Sequence, residues 1–120
     1  MKNPKVSLRN KADNLWSKAY LKERCEVCGS DYCLQAHHFY YKSSSGHLRY
    51  TKENHITLCR RCHFVLHSQD PKKIEDIIID KRGEKWHNEL REKSKETHSS
   101  YTTIGWYREN IELLKQKPPQ

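Results

Sequence analysis

The sequence is short of apolar material. Only 34% of its 120 residues are hydrophobic, tyrosine included, while 32% are charged and the mean hydropathy is −1.09. A large buried core is excluded, because so little apolar area cannot offset the entropy of ordering the chain. Long apolar runs are missing as well. The longest aliphatic stretch is Ile77-Ile78-Ile79, far from the roughly 18 residues of a membrane span. The basic start lacks the apolar segment of a signal peptide, so the expectation is a soluble, cytoplasmic protein with no membrane partner. Acidic residues are in deficit: 15 Asp and Glu against 23 Lys and Arg give +8 and a pI near 9.3. That balance favours a polyanionic partner such as nucleic acid. Internal repeats are absent, and so is a helix-turn-helix or other base-reading module.

What the chain does have is cysteine and histidine. Of five Cys and eight His, eleven lie between Cys25 and His67, and only His87 and His98 fall outside. An odd cysteine count without a signal peptide argues against a disulfide framework and for metal. A structural zinc can supply folding energy that a thin core cannot.

Around that cluster the pattern reads as helices. Residues 1–6 look like a polar arm containing Pro4. From Ser7, the apolar residues Leu8, Ala12, Leu15, Trp16, Ala19 and Tyr20 recur on one helical face to about Arg24. Arg9, Lys11, Lys18 and Lys22 occupy the other face. Leu34–Tyr41 and His55–Leu58 read as strands, joined by the turn-forming Lys42-Ser43-Ser44-Ser45-Gly46. A helix is expected from about Arg60 to Ser68. Asp70-Pro71 is a helix start, Ile74, Ile77 and Ile78 form its buried stripe, and Gly83 is a stop. Trp86 and Leu90 suggest a further helix, and Trp106, Tyr107, Ile111 and Leu114 a last one before Pro118-Pro119.

Two constellations carry chemistry. Cys25-x2-Cys28 and Cys59-x2-Cys62 each let two thiolates reach one Zn²⁺ from a single turn, and together they complete a closed, structural tetrahedral site. The 30 residues between the pairs are enough for a strand pair, giving a treble-clef-like arrangement. Cys33 is left over and reads as a small buried hydrophobe at the strand edge. The second constellation is His37-His38, Asn54 and His63-x3-His67. Spacing of four places His63 and His67 on one helical face, where both imidazoles can bind one metal. A third His from the strand pair leaves coordination positions open, the pattern of a catalytic metal.

At these residues the sequence resembles the HNH endonucleases, the ββα-metal nucleases, and in particular their zinc-containing branch. The resemblance is carried by Ala36-His-His-Phe39 and Glu53-Asn-His-Ile-Thr-Leu-Cys-Arg-Arg-Cys-His63, and it covers residues 25–68. The His-His opening and His-x3-His ending also resemble the nuclease domains of DNase colicins. The layout with His47-Leu-Arg-Tyr50 is similar to phage recombination nucleases of the NinG (Rap) type, which implies a bacterial or phage-encoded protein. The resemblance implies that His38 is the general base, for which a neutral imidazole is suited near pH 7. It implies that His37, His63 and His67 hold a catalytic divalent ion, with Asn54 pinning the hairpin loop behind His38. The reaction would be hydrolysis of a DNA phosphodiester to a 5′-phosphate and a 3′-hydroxyl. Three imidazoles favour Zn²⁺ or Ni²⁺, with Mn²⁺ and Mg²⁺ also in play. On a flat strand, however, His37 and His38 point to opposite faces. A shared site then needs a bulge, a strong twist or a strand end.

Taken together, the expected fold is small α+β. A ββα-metal core with a four-cysteine zinc site (25–68) follows a basic N-terminal arm and helix (1–24) and precedes about three C-terminal helices (69–120). All three parts form one nuclease domain. Lys42, Arg49, Arg60, Arg61, Lys18 and Lys22 are candidate phosphate contacts on double-stranded or branched DNA. Residues 1–24 hold seven basic and two acidic residues, net +5, whereas 25–70 hold five and four, net +1. The backbone grip is therefore expected mainly from the N-terminal helix. His47 and His55 read as exposed, and Tyr40 and Tyr41 as strand packing. A homodimer through the Ile74–Leu90 or Trp106–Leu114 helices and a monomer fit equally. A non-catalytic zinc-stabilised treble-clef module that binds nucleic acid would use the same cysteines and charge. It would have no need of His38, Asn54 or the His63/His67 pair.

Overall fold

The computed structural model describes residues 3–40, 46–96 and 101–116. Lys42 and Tyr41, the Lys42–Ser45 turn, His98 and Pro118-Pro119 lie outside them. The order of elements is α1 (Pro4–Ala19), β1 (Leu34–His38), single 3₁₀ turns at Gly46–Leu48 and Lys52–Asn54, and β2 (His55–Cys59). Then come α2 (Arg60–Ser68), α3 (Pro71–Arg82), α4 (Glu84–Ser94) and α5 (Ile104–Lys115). The result is a small α+β fold with a ββα centre, as the motif spacing predicts. No helix among the described residues is long and apolar enough to cross a membrane.

Local chemistry explains most of the boundaries. Asn3 caps α1 by accepting from Lys5 N at 2.9 Å, and Pro4 occupies the first helical turn, where a missing N–H costs nothing. The helix therefore starts at Pro4, ahead of the expected Ser7. It also ends at Ala19, short of Arg24, because the next segment is captured by β2: Lys22 N donates to Thr57 Oγ1 at 2.9 Å. Asp70 caps α3 through Lys73 N, and Gly83, at φ 98°, closes α3 and opens α4. That backbone conformation is open essentially to glycine alone.

The antiparallel pair runs Leu34↔Cys59, Ala36↔Thr57, His37↔Ile56 and His38↔His55. β1 ends at His38, so Phe39 and Tyr40, expected to continue it, lie outside the strand. Beyond His38 the ladder gives way to a side chain: Asn54 Oδ1 accepts from Tyr40 N at 2.8 Å and Nδ2 donates to Tyr40 O at 3.1 Å.

Two apolar clusters lie on either side of this sheet. Ile56 and Leu58 face Leu66, Ile74, Ile78 and Leu90 of α2–α4, together with three of the zinc-site cysteines. On the other side, Ala36 packs against Trp16, Tyr50, Tyr107, Ile111 and Leu114, where α1 meets α5. Both faces of β2 are thus covered, and all five of its residues are buried. His55, expected outward, is 2% exposed and corrects that expectation: its ring lies between Trp16 and Tyr20, and Nε2 donates to Ser17 O at 3.1 Å. The apolar stripes of α3–α4 and α5, considered above as dimer faces, are spent inside the chain. Cys33 is also corrected. It is exposed, precedes β1 and adopts φ 50°, so it packs in neither cluster.

One carboxylate ties the parts together. Glu26 receives both arms of Arg82 at 2.8 and 2.9 Å, Lys22 Nζ at 3.0 Å and Thr57 N at 2.7 Å. Burial pushes the Glu26 carboxyl up, but the Arg82 guanidinium, the Thr57 N–H and Lys22 outweigh it and hold it below its ordinary range. Arg82 continues to Glu53 O and His55 O at 3.2 and 2.7 Å, with its guanidinium 4.9 Å above the Trp86 ring.

Candidate active site

The cysteine pairs converge as their spacing requires. Gly29, at φ 79°, turns the chain just after Cys28, and Cys59 is the N-cap of α2, accepting from Cys62 N at 3.4 Å. The four sulfurs lie within 4.8 Å of one another, with Cys28 and Cys59 Sγ 3.5 Å apart. Four sulfurs around one Zn²⁺ at about 2.3 Å stand about 3.8 Å apart, so the set fits that ion. Burial raises the Cys25 thiol, but backbone N–H groups bring it down to about 7. Cys62 is pushed up by burial and by hydrogen bonds with the other thiols, a crowding that a divalent cation relieves. The four cysteines are positioned to hold a structural zinc.

The second cluster forms where β1 meets α2. His37 is 6% exposed, and its ring centroid lies 5.4 Å from His63 and 5.3 Å from His67. One nitrogen from each ring falls within a common 4.8 Å. His63 Nε2 and His67 Nε2 are 2.9 Å apart, as the four-residue spacing on α2 predicts. Nitrogens around one ion at about 2.05 Å stand about 3.3 Å apart, so the three rings also fit a single metal. Burial, then the neighbouring His63, His67 and His38, push the His37 imidazole down to about 3. Burial and His67 lower His63 as well. Both rings are neutral near pH 7 and can ligate.

His38 lies on the opposite face, the α1 side. Its ring stacks on Trp16, centroids 4.0 Å apart and planes at 9°, and Nε2 sits 2.9 Å from Arg49 O. A carbonyl only accepts, so Nε2 carries the hydrogen and the basic lone pair is on Nδ1. Trp16 is itself anchored by Nε1–H to Thr51 O at 3.1 Å. Asn54, fully buried, holds Tyr40 at both backbone groups and Leu48 O at 3.3 Å, and its own carbonyl accepts from Phe39 N at 3.0 Å. It therefore clamps the segment following His38 to the segment preceding Arg49.

The basic residues divide into two groups. Arg60, Arg61 and Lys18 are exposed and form no ion pair with the described residues. Lys22 pairs with Glu26, and Arg49 grips Asp13 in a two-pronged contact at 2.8 and 2.6 Å, supported by Tyr50 Oη–H to Asp13 at 2.8 Å. Lys42 lies outside the described residues. Sequence reasoning missed three contributors: Trp16 behind His38, Asp13 beneath Arg49, and Gln35, whose Oε1 is 2.6 Å from His63 Nδ1. Only the last carried a local signal, since Gln35 precedes His37 by two on a strand and so shares its face.

Residues 25–69 match the HNH endonuclease family. The matched segment begins at the first cysteine and ends just past α2, and so contains both clusters together with His38 and Asn54. Neither the curated proteins nor the solved structures include a match to the chain.

Proposed function

We propose that the protein is a metal-dependent DNA endonuclease whose described elements act as one nuclease domain. The observation that carries this reading is a placement on consecutive residues of one edge strand. His37 completes a three-imidazole cluster on one face, and His38 presents an oriented imidazole on the other. Neither a bulge nor a broken register is needed. His38 is the last residue of β1, and the reading requires a phosphodiester crossing that strand end to meet both side chains.

Each residue then has a task. His37, His63 and His67 would hold a divalent ion, drawn from Mg²⁺, Mn²⁺, Ni²⁺ or Zn²⁺. When bound, that ion would polarise the scissile phosphate and stabilise charge on the departing 3′ oxygen. His38 takes a proton from the attacking water at Nδ1, because Arg49 O fixes the hydrogen on Nε2. Trp16 and Asn54 hold that ring and its loop while the proton moves. Arg60, Arg61 and Lys18 contact flanking phosphates, while Lys22 and Arg49 are held by Glu26 and Asp13. The products are a 5′-phosphate and a 3′-hydroxyl.

The test is nicking of supercoiled plasmid under each metal, beside His38→Ala. Metal-dependent nicking by the wild type and its loss in the variant are expected. Equal nicking by the variant, or none by the wild type under any metal, refutes the mechanism. DNA retardation without nicking would identify a binding module instead.

A further inference from the structure

The contact between Gln35 and His63 has a chemical consequence for the imidazole cluster. Gln35 Oε1 can only accept, so at 2.6 Å from His63 Nδ1 it fixes the hydrogen on that nitrogen. The lone pair of His63 is then on Nε2, the atom that faces His67 Nε2 at 2.9 Å. A rotated or oppositely protonated His63 ring would present an N–H at the centre of the cluster and could not ligate.

We propose that Gln35 is a positioning residue that selects the ligating tautomer of His63 and so sets the metal affinity of the three-histidine centre. The inference rests on the reading of that centre as a metal site, and it assigns a function to a side chain with no place in the motif. Its location makes the role specific. Gln35 is exposed and lies outside both apolar clusters, so the fold gains little from it. Partners of this kind commonly change metal affinity by about 10- to 100-fold when removed. A carboxylate in the same place accepts the hydrogen more strongly and makes the opposite nitrogen a better donor to the ion.

The experiment uses the full chain loaded with one zinc equivalent at the cysteines. A second equivalent of Zn²⁺ is titrated in competition with a chromophoric chelator. Gln35→Leu should weaken the second equivalent by about 10- to 100-fold, and Gln35→Glu should bind at least as tightly as the wild type. The first equivalent and the thermal midpoint should be unchanged in both. In parallel, ¹⁵N–¹H correlation of the His63 ring in the one-zinc protein should show hydrogen on Nδ1, and a mixture in Gln35→Leu. Equal second-site affinity in Gln35→Leu, or hydrogen on Nε2 in the wild type, overturns the inference and leaves the nuclease reading standing. A wild type that takes up no second equivalent overturns both.

Discussion

The imidazole of His38 lies flat against the indole of Trp16, 4.0 Å between centroids and 9° between planes. Helix α1 thus does more than cover the sheet. It supplies one wall of the group assigned the proton transfer, and Thr51 O holds that wall through the indole N–H.

Replacing Trp16 separates this role from packing. Trp16→Phe keeps most of the buried volume but loses the N–H bond and part of the stacked surface, at a cost of about 1–2 kcal/mol. Plasmid nicking should fall about tenfold or more, since a small misplacement of a reacting group is costly. Zinc binding at the histidine cluster should be unchanged. Full activity in folded Trp16→Phe would show that the stack does not position His38.

Asn54 makes three side-chain hydrogen bonds while fully buried. Asn54→Ala leaves Tyr40 N, Tyr40 O and Leu48 O without that partner, and should cost about 2–4 kcal/mol in urea unfolding of the zinc-loaded protein. A loss below about 1 kcal/mol would mean the loop is held elsewhere.

Phosphate contacts announce themselves through salt. Arg60→Ala and Arg61→Ala should each lower the slope of log affinity against log salt by about 1, measured by fluorescence anisotropy on a short duplex. Arg49→Ala should act differently, through stability, because its charge is engaged by Asp13. An unchanged slope in both of the first two variants would move the DNA path away from the start of α2.

Glu26 gives a pH signature. Its folded carboxyl titrates below the unfolded value of about 4.3. The stability it contributes is therefore complete above that pH and is lost as pH falls through the folded value. Glu26→Gln should be destabilised by about 1.5–3 kcal/mol near pH 7, because Arg82, Lys22 and Thr57 N lose a charged acceptor while Arg82 keeps His55 O and Glu53 O. It should also lose stability less steeply than the wild type on acidification. Zinc release affects both proteins, so the difference in slope is the readout; identical slopes would refute the assignment.

Chelating the zinc should abolish the cooperative thermal transition. Three of the four cysteines are members of the larger apolar cluster, and burying unpaired thiols there gives no compensating contact. Retention of the full far-ultraviolet spectrum and thermal transition without zinc would contradict this.

Much of this was readable from local pattern. The two Cys-x2-Cys pairs, the one-face spacing of His63 and His67, the Asp70-Pro71 start and the Gly83 stop all act within one turn of chain. What escaped depends on partners far away in sequence. Period-two alternation places His55 opposite Ile56, which is correct, but it cannot show that α1 covers that face too. Arg49 reads as a free cation until Asp13, contributed by α1, is seen beside it. Cys33 looks apolar by type, yet its positive φ keeps it out of the strand. Asn54 was expected to pin the hairpin loop; that it shortens β1 by taking over Tyr40 appears only when the hairpin is closed.

The embrace of β2 by Glu26 has one more consequence. Its N–H donates to Thr57 O at 2.9 Å while its carboxylate accepts from Thr57 N, and Arg82 takes His55 O. One residue and one guanidinium thereby stand in for a third strand. A two-stranded ribbon ordinarily invites addition at both margins, but here that margin is already satisfied. Any extended chain that pairs with this sheet must approach from β1, the side where the histidines are.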